Sequence, residues 1–269
     1  MNIAVCIKQV PVSNNVSVDP VTHVLVRDSA ENMLNPADAN ALEEAVSLKE
    51  RYGGKVVAFT MGPPAADKAL RTAAAMGADE LVLITDRVFA GADTLATAKA
   101  LAESVRRCGA FDLILTGSES SDGATGQVGP MVAECLTLPH LTEVRSVEAL
   151  EAGCLRGVKK FKNSGARVSV RLPAVLTLSY GCNDPRLPTF SSQIAAKKKT
   201  VIVHTNEDLA LPEDAVGLSG SPTEVVDSFE PEKKKNAAFL SGSSAEIAEK
   251  ILTLIQEKKG TGKKGADNG

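Results

Sequence analysis

The sequence predicts an α/β fold: a Rossmann-like parallel sheet with helices on both faces, added antiparallel strands, and an extended C-terminal arm ending in a helix. Three observations predict it. Apolar runs at residues 3–10, 56–60, 81–84 and 113–116 read as buried strands, and helix-length stretches separate them. Strands that alternate with helices across short loops imply right-handed crossovers and a parallel sheet. Beyond Pro139 the pattern changes to short, partly alternating segments at 144–150, 154–160 and 167–171, which read as antiparallel strands.

Residues 3–10 are β-branched or apolar at most positions, the pattern of a strand covered on both sides. Segments 16–19 and 24–27 flank Pro20-Val21-Thr22-His23 and read as a surface hairpin. Asn35-Pro36-Ala37-Asp38 then opens a helix. Asn35 suits the N-cap, Pro36 the first helical position and Asp38 the positive end of the dipole. Leu42, Ala45, Val46 and Leu48 carry that helix to Gly53-Gly54. A second helix, 65–76, ends at Gly77, and a third, 94–107, has Leu95, Ala98, Ala102 and Val105 on its inner face. Residues 174–178 return to a buried strand. Residues 184–190 form a two-proline surface segment, and Lys197-Lys198-Lys199 reads as a solvated face.

From 211 to 232 the chain is punctuated by Pro, Gly and Ser and has too few apolar residues for a core of its own. Ser243-Ser244-Ala245-Glu246 is a capping-box pattern for a last helix reaching about residue 258. Ile247, Ile251, Leu254 and Ile255 give that helix one apolar stripe, to lie on its own domain or on a partner subunit. The expected organisation is a nucleotide-binding domain at 1–210, an arm and helix at 211–259, and a disordered tail at 260–269.

The totals exclude several classes. With 30 Lys plus Arg against 33 Asp plus Glu, the net charge of −3 argues against nucleic acid as the main partner. Five cysteines without a C-x-x-C pair, and His23, His140 and His204 far apart, form no metal-ligand pattern and suggest a reducing compartment. No signal peptide and no membrane span is readable, so the expected location is the cytoplasm.

The candidate site centres on residues 117–130, which follow the strand at 111–116 and lead into a helix. Strand, small polar loop and helix start together place unpaired N–H groups and a positive dipole end in one spot, suited to a phosphate. Glycines at 117, 123, 126 and 129 let the main chain come close to a ligand. In a parallel sheet the ligand lies beyond the carboxyl ends of the strands. Those ends carry Lys8-Gln9, Met61-Gly62, the Gly91–Thr94 loop and the Gly117 loop.

Several separate motifs, in order from residue 1 to about 258, resemble the small (beta) subunit of electron-transfer flavoproteins. They are Cys6-Ile7-Lys8-Gln9-Val10-Pro11, Asn35-Pro36-Ala37-Asp38, Met61-Gly62-Pro63, Met76-Gly77-Ala78-Asp79, residues 122–130, Leu172-Pro173-Ala174-Val175 and the lysine run. The resemblance implies a heterodimer with a larger alpha subunit, over which the arm beyond about 211 extends. It maps the nucleotide pocket onto Cys6, Asn35, Pro36, Ala37, Asp38, Met61 and the loop containing Gly117, Ser118, Asp122, Gly123, Ala124, Thr125, Gly126, Gln127 and Val128. Phe190 matches the position at which the family presents an apolar residue to a partner dehydrogenase.

Within the family, Gly91-Ala92-Asp93-Thr94-Leu95-Ala96-Thr97 resembles the electron-bifurcating group, which holds a second FAD and takes electrons from NADH. That group splits them between ferredoxin or flavodoxin and, through the alpha-subunit FAD, a dehydrogenase. Asp93 or Thr94 can cap the helix, and the Thr94 and Thr97 hydroxyls lie three apart on its first turn, placed for a diphosphate. Two departures stand out. Ser118-Glu119 replaces the usual basic-Gln pair, and Lys162, Asn163, Ser164 and Gly165 replace expected acidic residues. Two other readings remain: an AMP-holding subunit that only scaffolds the alpha flavin, and a nucleotide-sensing module without a redox role.

Overall fold

The structure, a computed structural model, describes residues 1–12, 17–18, 25–26, 32–223 and 239–261. Two compact units divide the chain, Met1–Glu224 and Val225–Gly269. In the first, strands β1 (Asn2–Cys6), β2 (Gln9–Pro11), β3 (Ser17–Val18), β4 (Leu25–Val26) and β5 (Asn32–Leu34) precede helix α1 (Pro36–Tyr52). Then come β6 (Lys55–Met61), α2 (Asp67–Met76), β7 (Glu80–Ile84), α3 (Thr94–Arg107), β8 (Leu113–Gly117) and α4 (Val128–Leu136). Strands β9 (His140–Glu151), β10 (Cys154–Lys160), β11 (Gly165–Arg171) and β12 (Ala174–Leu178) lead to α5 (Phe190–Lys198), β13 (Val201–His204) and α6 (Asn206–Leu209). The second unit contains α7 (Ser244–Thr261).

Nine strands form one sheet in the order β11-β10-β9-β12-β8-β1-β6-β7-β13. From β9 to β13 the neighbours are parallel, and β9-β10-β11 are antiparallel. The expected α/β class, with a parallel sheet and added antiparallel strands, is what forms. Successive residues of β1 feed opposite layers, because side chains alternate along a strand. Ile3 and Val5 join a core with Leu42, Val46 and Leu70 of α1 and α2. Ala4 joins the opposite core with Ala98, Leu101 and Val132 of α3 and α4. Helices therefore cover both faces.

Four expectations need correction. The strand expected over 3–10 stops at Cys6. The Lys8 N–H donates to the Asp38 carboxylate (2.7 Å), which takes it out of the sheet, and β2 turns aside to pair antiparallel with β5. Strand β9 begins at His140, pairing first with β12 and later with β10. Residues 190–198 form α5, with Thr189 capping it by accepting from the Ser192 N–H. Strand β13 was not expected, although Val201-Ile202-Val203 is β-branched throughout; it is an edge strand beside β7, half-exposed, and so lacks a buried strand's context.

The hairpin expected near residues 16–27 is present as the β3–β4 pair, while Pro20-Val21-Thr22-His23 lies outside the described residues. Residues 211–223 stay on the first unit: Val216 is buried, and the Ser221 hydroxyl accepts from the Asp93 N–H at 2.8 Å. The capping box is formed. Ser243 donates through its N–H and its hydroxyl to Glu246, at 2.7 and 2.9 Å. Residues 224–238, and 262–269 of the expected disordered tail, lie outside the described residues.

Candidate functional site

Chain order along the sheet reverses at β1. From β1 the chain moves to β6 and β7 on one side, then returns to β8 and β12 on the other. The crevice between the carboxyl ends of β1 and β8 is thus the topological switch point, where open α/β sheets bind ligands.

Helix α1 delivers two polar side chains there. Asp38 accepts from the Lys8 N–H (2.7 Å) and the Gly117 N–H (3.0 Å), joining the ends of β1 and β8. Asn35 holds the next part of the loop, donating to the Glu119 carbonyl (2.9 Å) and accepting from the Ser121 N–H (3.1 Å). Asn35 occupies the N-cap position, but its side chain makes no capping bond; the loop has claimed it. Both side chains are buried. Burial pushes the Asp38 carboxyl up to about 7, against the opposing pull of its N–H donors. Burial, helped by the Asp38 charge, raises the Cys6 thiol to about 12, so Cys6 is an inert wall residue. A Cβ at Gly117 would collide with the Asp38 carboxylate and with Ala37, so this position needs glycine. Pro36 starts the helix and Met61 ends β6, packed against the α3–α4 core.

Beyond Ser121 the loop is exposed through Asp122, Gly123, Ala124, Thr125, Gly126 and Gln127. Asp122 accepts from the Lys8 ammonium (2.8 Å) and the Gly123 N–H (2.8 Å). Partial burial opposes ionisation, yet Lys8 and the Ser120 hydroxyl hold this carboxyl below the usual range. Lys8, marked in the sequence only as a strand end, is therefore the cation of the site. Its signal was a charged residue placed directly after the central strand.

Ala124 (φ 46°) and Gly126 (φ 64°) adopt left-handed backbone, which costs a non-glycine residue about 1 kcal/mol. Alternating conformations of this kind turn successive N–H groups toward one point. Among the described residues, the N–H groups of Thr125, Gly126, Gln127, Val128 and Gly129 meet no protein acceptor. Pro130 has no N–H to satisfy. Five unpaired donors at the positive end of α4 form a cradle whose chemistry fits a phosphate. Gly129 sets its depth: a Cβ there would strike Thr177, with the Thr116 hydroxyl only 2.9 Å away, so α4 lies close against β12 and β8.

Helices α3 and α4 run side by side. The Thr94 hydroxyl donates to Gln127 Oε1 (3.1 Å) at their amino ends, and Arg106 donates to the Cys135 carbonyl (3.0 Å) near their carboxyl ends. Thr94 and Thr97 are half-buried on the first turn of α3. Asp93, not Thr94, caps that helix, accepting from the Leu95 (2.9 Å) and Ala96 (3.0 Å) N–H groups. Its other oxygen accepts from the Thr223 hydroxyl (2.8 Å), and Leu218 packs on Gly91. Although desolvation opposes it, these donors keep the Asp93 carboxyl below the usual range. The amino end of α3 thus already holds a carboxylate; its Thr94 hydroxyl is paired with Gln127, and the Thr97 hydroxyl meets no acceptor among the described residues. Ser118 donates its N–H to the Leu178 carbonyl (2.8 Å) at the end of β12. Phe190 stands apart at the start of α5, 80% exposed.

Residues 22–209 match the electron transfer flavoprotein domain family. The chain is 41% identical over 259 residues to "Electron transfer flavoprotein subunit beta" of Thermoanaerobacterium thermosaccharolyticum, covering 96% of this chain and 99% of that protein. It is 39% identical over 261 residues to "Caffeyl-CoA reductase-Etf complex subunit CarD" of Acetobacterium woodii, covering 96% and 99%. It is 40% identical over 267 residues to "Protein FixA" of Azorhizobium caulinodans, covering 96% and 95%. With a family match over most of its length and such relatives over nearly all of it, this chain belongs to the electron transfer flavoprotein family and resembles its beta subunits from end to end.

Proposed function

We propose that this chain is the small subunit of a heterodimeric electron-transfer flavoprotein and binds FAD at the switch-point crevice. One observation carries the reading: the five N–H groups of residues 125–129, without an acceptor among the described residues, at the start of α4 and beside the Thr94 hydroxyl of α3. A diphosphate spans two neighbouring groups of donors, and the cradle and the α3 threonines supply them. When bound, the flavin would supply hydride acceptance and one-electron release, which no side chain here can. The protein positions and shields. Asn35 and Asp38 fix the loop, Gly129 sets the depth of the cradle, and Lys8 neutralises Asp122, which otherwise repels phosphate.

In this reading electrons arrive from NADH. They leave to ferredoxin or flavodoxin and, through the alpha-subunit FAD, to a dehydrogenase that docks at Phe190. The domain boundary at 210/211, with the arm and α7 serving the partner subunit, belongs to the same proposal.

AMP in the same cradle is the second reading, and Asp93 favours it. Its carboxylate occupies two amino-terminal N–H groups of α3, which leaves one helix end free for one phosphate. Visible absorbance and nucleotide released from the purified heterodimer decide between them. Two flavins per heterodimer are expected. One flavin plus AMP establishes the second reading, and no flavin leaves only nucleotide sensing.

A further inference from the structure

We propose that the basic tip of the β10–β11 hairpin docks against an acidic face of the partner subunit. The proposal rests on the heterodimer reading above. The two strands pair from Cys154↔Arg171 to Lys160↔Gly165, and the Phe161 N–H closes the turn on the Ser164 carbonyl (2.8 Å). Lower on the hairpin, Arg156 pairs with Glu151 and Arg167 with Glu148 at 3.6 Å, and Arg171 alone there has no ion pair among the described residues. At the tip it is otherwise. Arg145, Lys159, Lys160 and Lys162 line one hollow of about 260 Å³ together with Phe161, and none of the four meets a carboxylate among the described residues. Lys159 donates to the Thr142 hydroxyl (3.0 Å) and lies 5.6 Å from the Phe161 ring centroid. Phe161 is nevertheless 49% exposed.

Four clustered like charges repel one another, and an opposing acidic surface removes that cost. Nucleic acid is a poor match, because the chain as a whole carries −3 and offers no broad positive field. The apolar part of the hollow, Phe161 and Val158, suits a protein surface, where aromatic and cationic side chains anchor interfaces. A subunit that stays bound fits better than a passing carrier. Strand β11 ends the sheet, and its outer edge has no strand beside it among the described residues. Open edges of this kind need cover.

The test uses the full-length chain and the electron transfer flavoprotein alpha subunit produced with it, with the dissociation constant measured at about 50 mM and about 500 mM salt. Wild-type affinity is expected to fall at least about tenfold with salt. K160E/K162E is expected to bind about tenfold more weakly at low salt, with a flatter salt response. Lys160 and Lys162 are both exposed and have no ion pair among the described residues, so the thermal midpoint of the free chain stays unchanged. Should that variant misfold, K160Q/K162Q gives the same comparison with half the charge change. An unchanged dissociation constant and salt slope overturn the proposal. They overturn it equally if the variant instead slows reduction of an acidic ferredoxin used as probe. If the wild-type chain binds no alpha subunit, the heterodimer reading fails as well, which the variant result cannot mimic.

Discussion

Gly129 and the Thr94/Thr97 pair show how single residues make the cradle. Gly129 lies where any side chain collides with Thr177 and crowds Thr116, so G129A forces α4 away from the sheet. The expected cost is about 1–3 kcal/mol, the range for overpacking a tight contact, measured by chemical denaturation. Bound nucleotide should be lost with it. The threonines act differently. Neither is needed to cap α3, because Asp93 does that alone, so T94V/T97V leaves the fold intact. Loss of the beta-site flavin, read by absorbance, is the expected result, and unchanged occupancy removes α3 from the phosphate site. Asp93 itself reads as a ligand residue in sequence. Its four hydrogen-bond donors, the Leu95 and Ala96 N–H groups and the N–H and hydroxyl of Thr223, were invisible because they are backbone groups or come from a distant chain position.

At the scale of elements, α1 acts as a bracket for two strand ends. Its first turn holds Lys8 and Gly117 through Asp38 and the 119–121 loop through Asn35. Further along the same helix, Glu43 and Glu50 grip Arg186, and Asn40 grips Asn183. The segment leading to Phe190 and the loop at 119–121 are therefore fastened to one rigid rod. Asp38 titrates near 7 when folded against 3.8 as an ordinary carboxyl, so the folded state holds more protons between those values. Stability contributed by this group is then greatest in acid and falls as pH rises through that window, levelling off above about 7. D38N should remove this slope and also lose one of the two N–H bonds, costing about 1–3 kcal/mol. Denaturation curves at several pH values between these limits check both. An unchanged slope means that Asp38 is ionised throughout.

Across the whole molecule, the first unit holds both cores, whose members run from residue 3 to residue 216. Exposed apolar side chains lie elsewhere. Tyr180, Leu187 and Phe190 occupy one surface segment, and Ile251, Leu252, Leu254 and Ile255 line α7 in the second unit. In isolation such surfaces are unfavourable, and they mark places where partners bind. F190A should leave stability within about 0.5 kcal/mol of wild type, because the ring touches little of its own chain. On the proposed function, turnover with a dehydrogenase as electron partner should instead show a raised KM at unchanged kcat. A loss of stability without that kinetic change would show that Phe190 packs inward. Among the described residues, no helix is long and apolar enough to cross a membrane.

The sequence alone determined the layer architecture, the strand–loop–helix at 111–136 and the helix opened by Asn35-Pro36, because periodicity, caps and glycines act over a few neighbouring residues. The motif order also carried the family. Tertiary structure alone decided that Asn35 and Asp38 hold the loop and the strand ends, that Lys8 pairs with Asp122, and that Asp93 fills one helix end. Those roles depend on partners about thirty to a hundred and thirty residues away, and local pattern holds no record of which distant backbone group a buried polar side chain must satisfy.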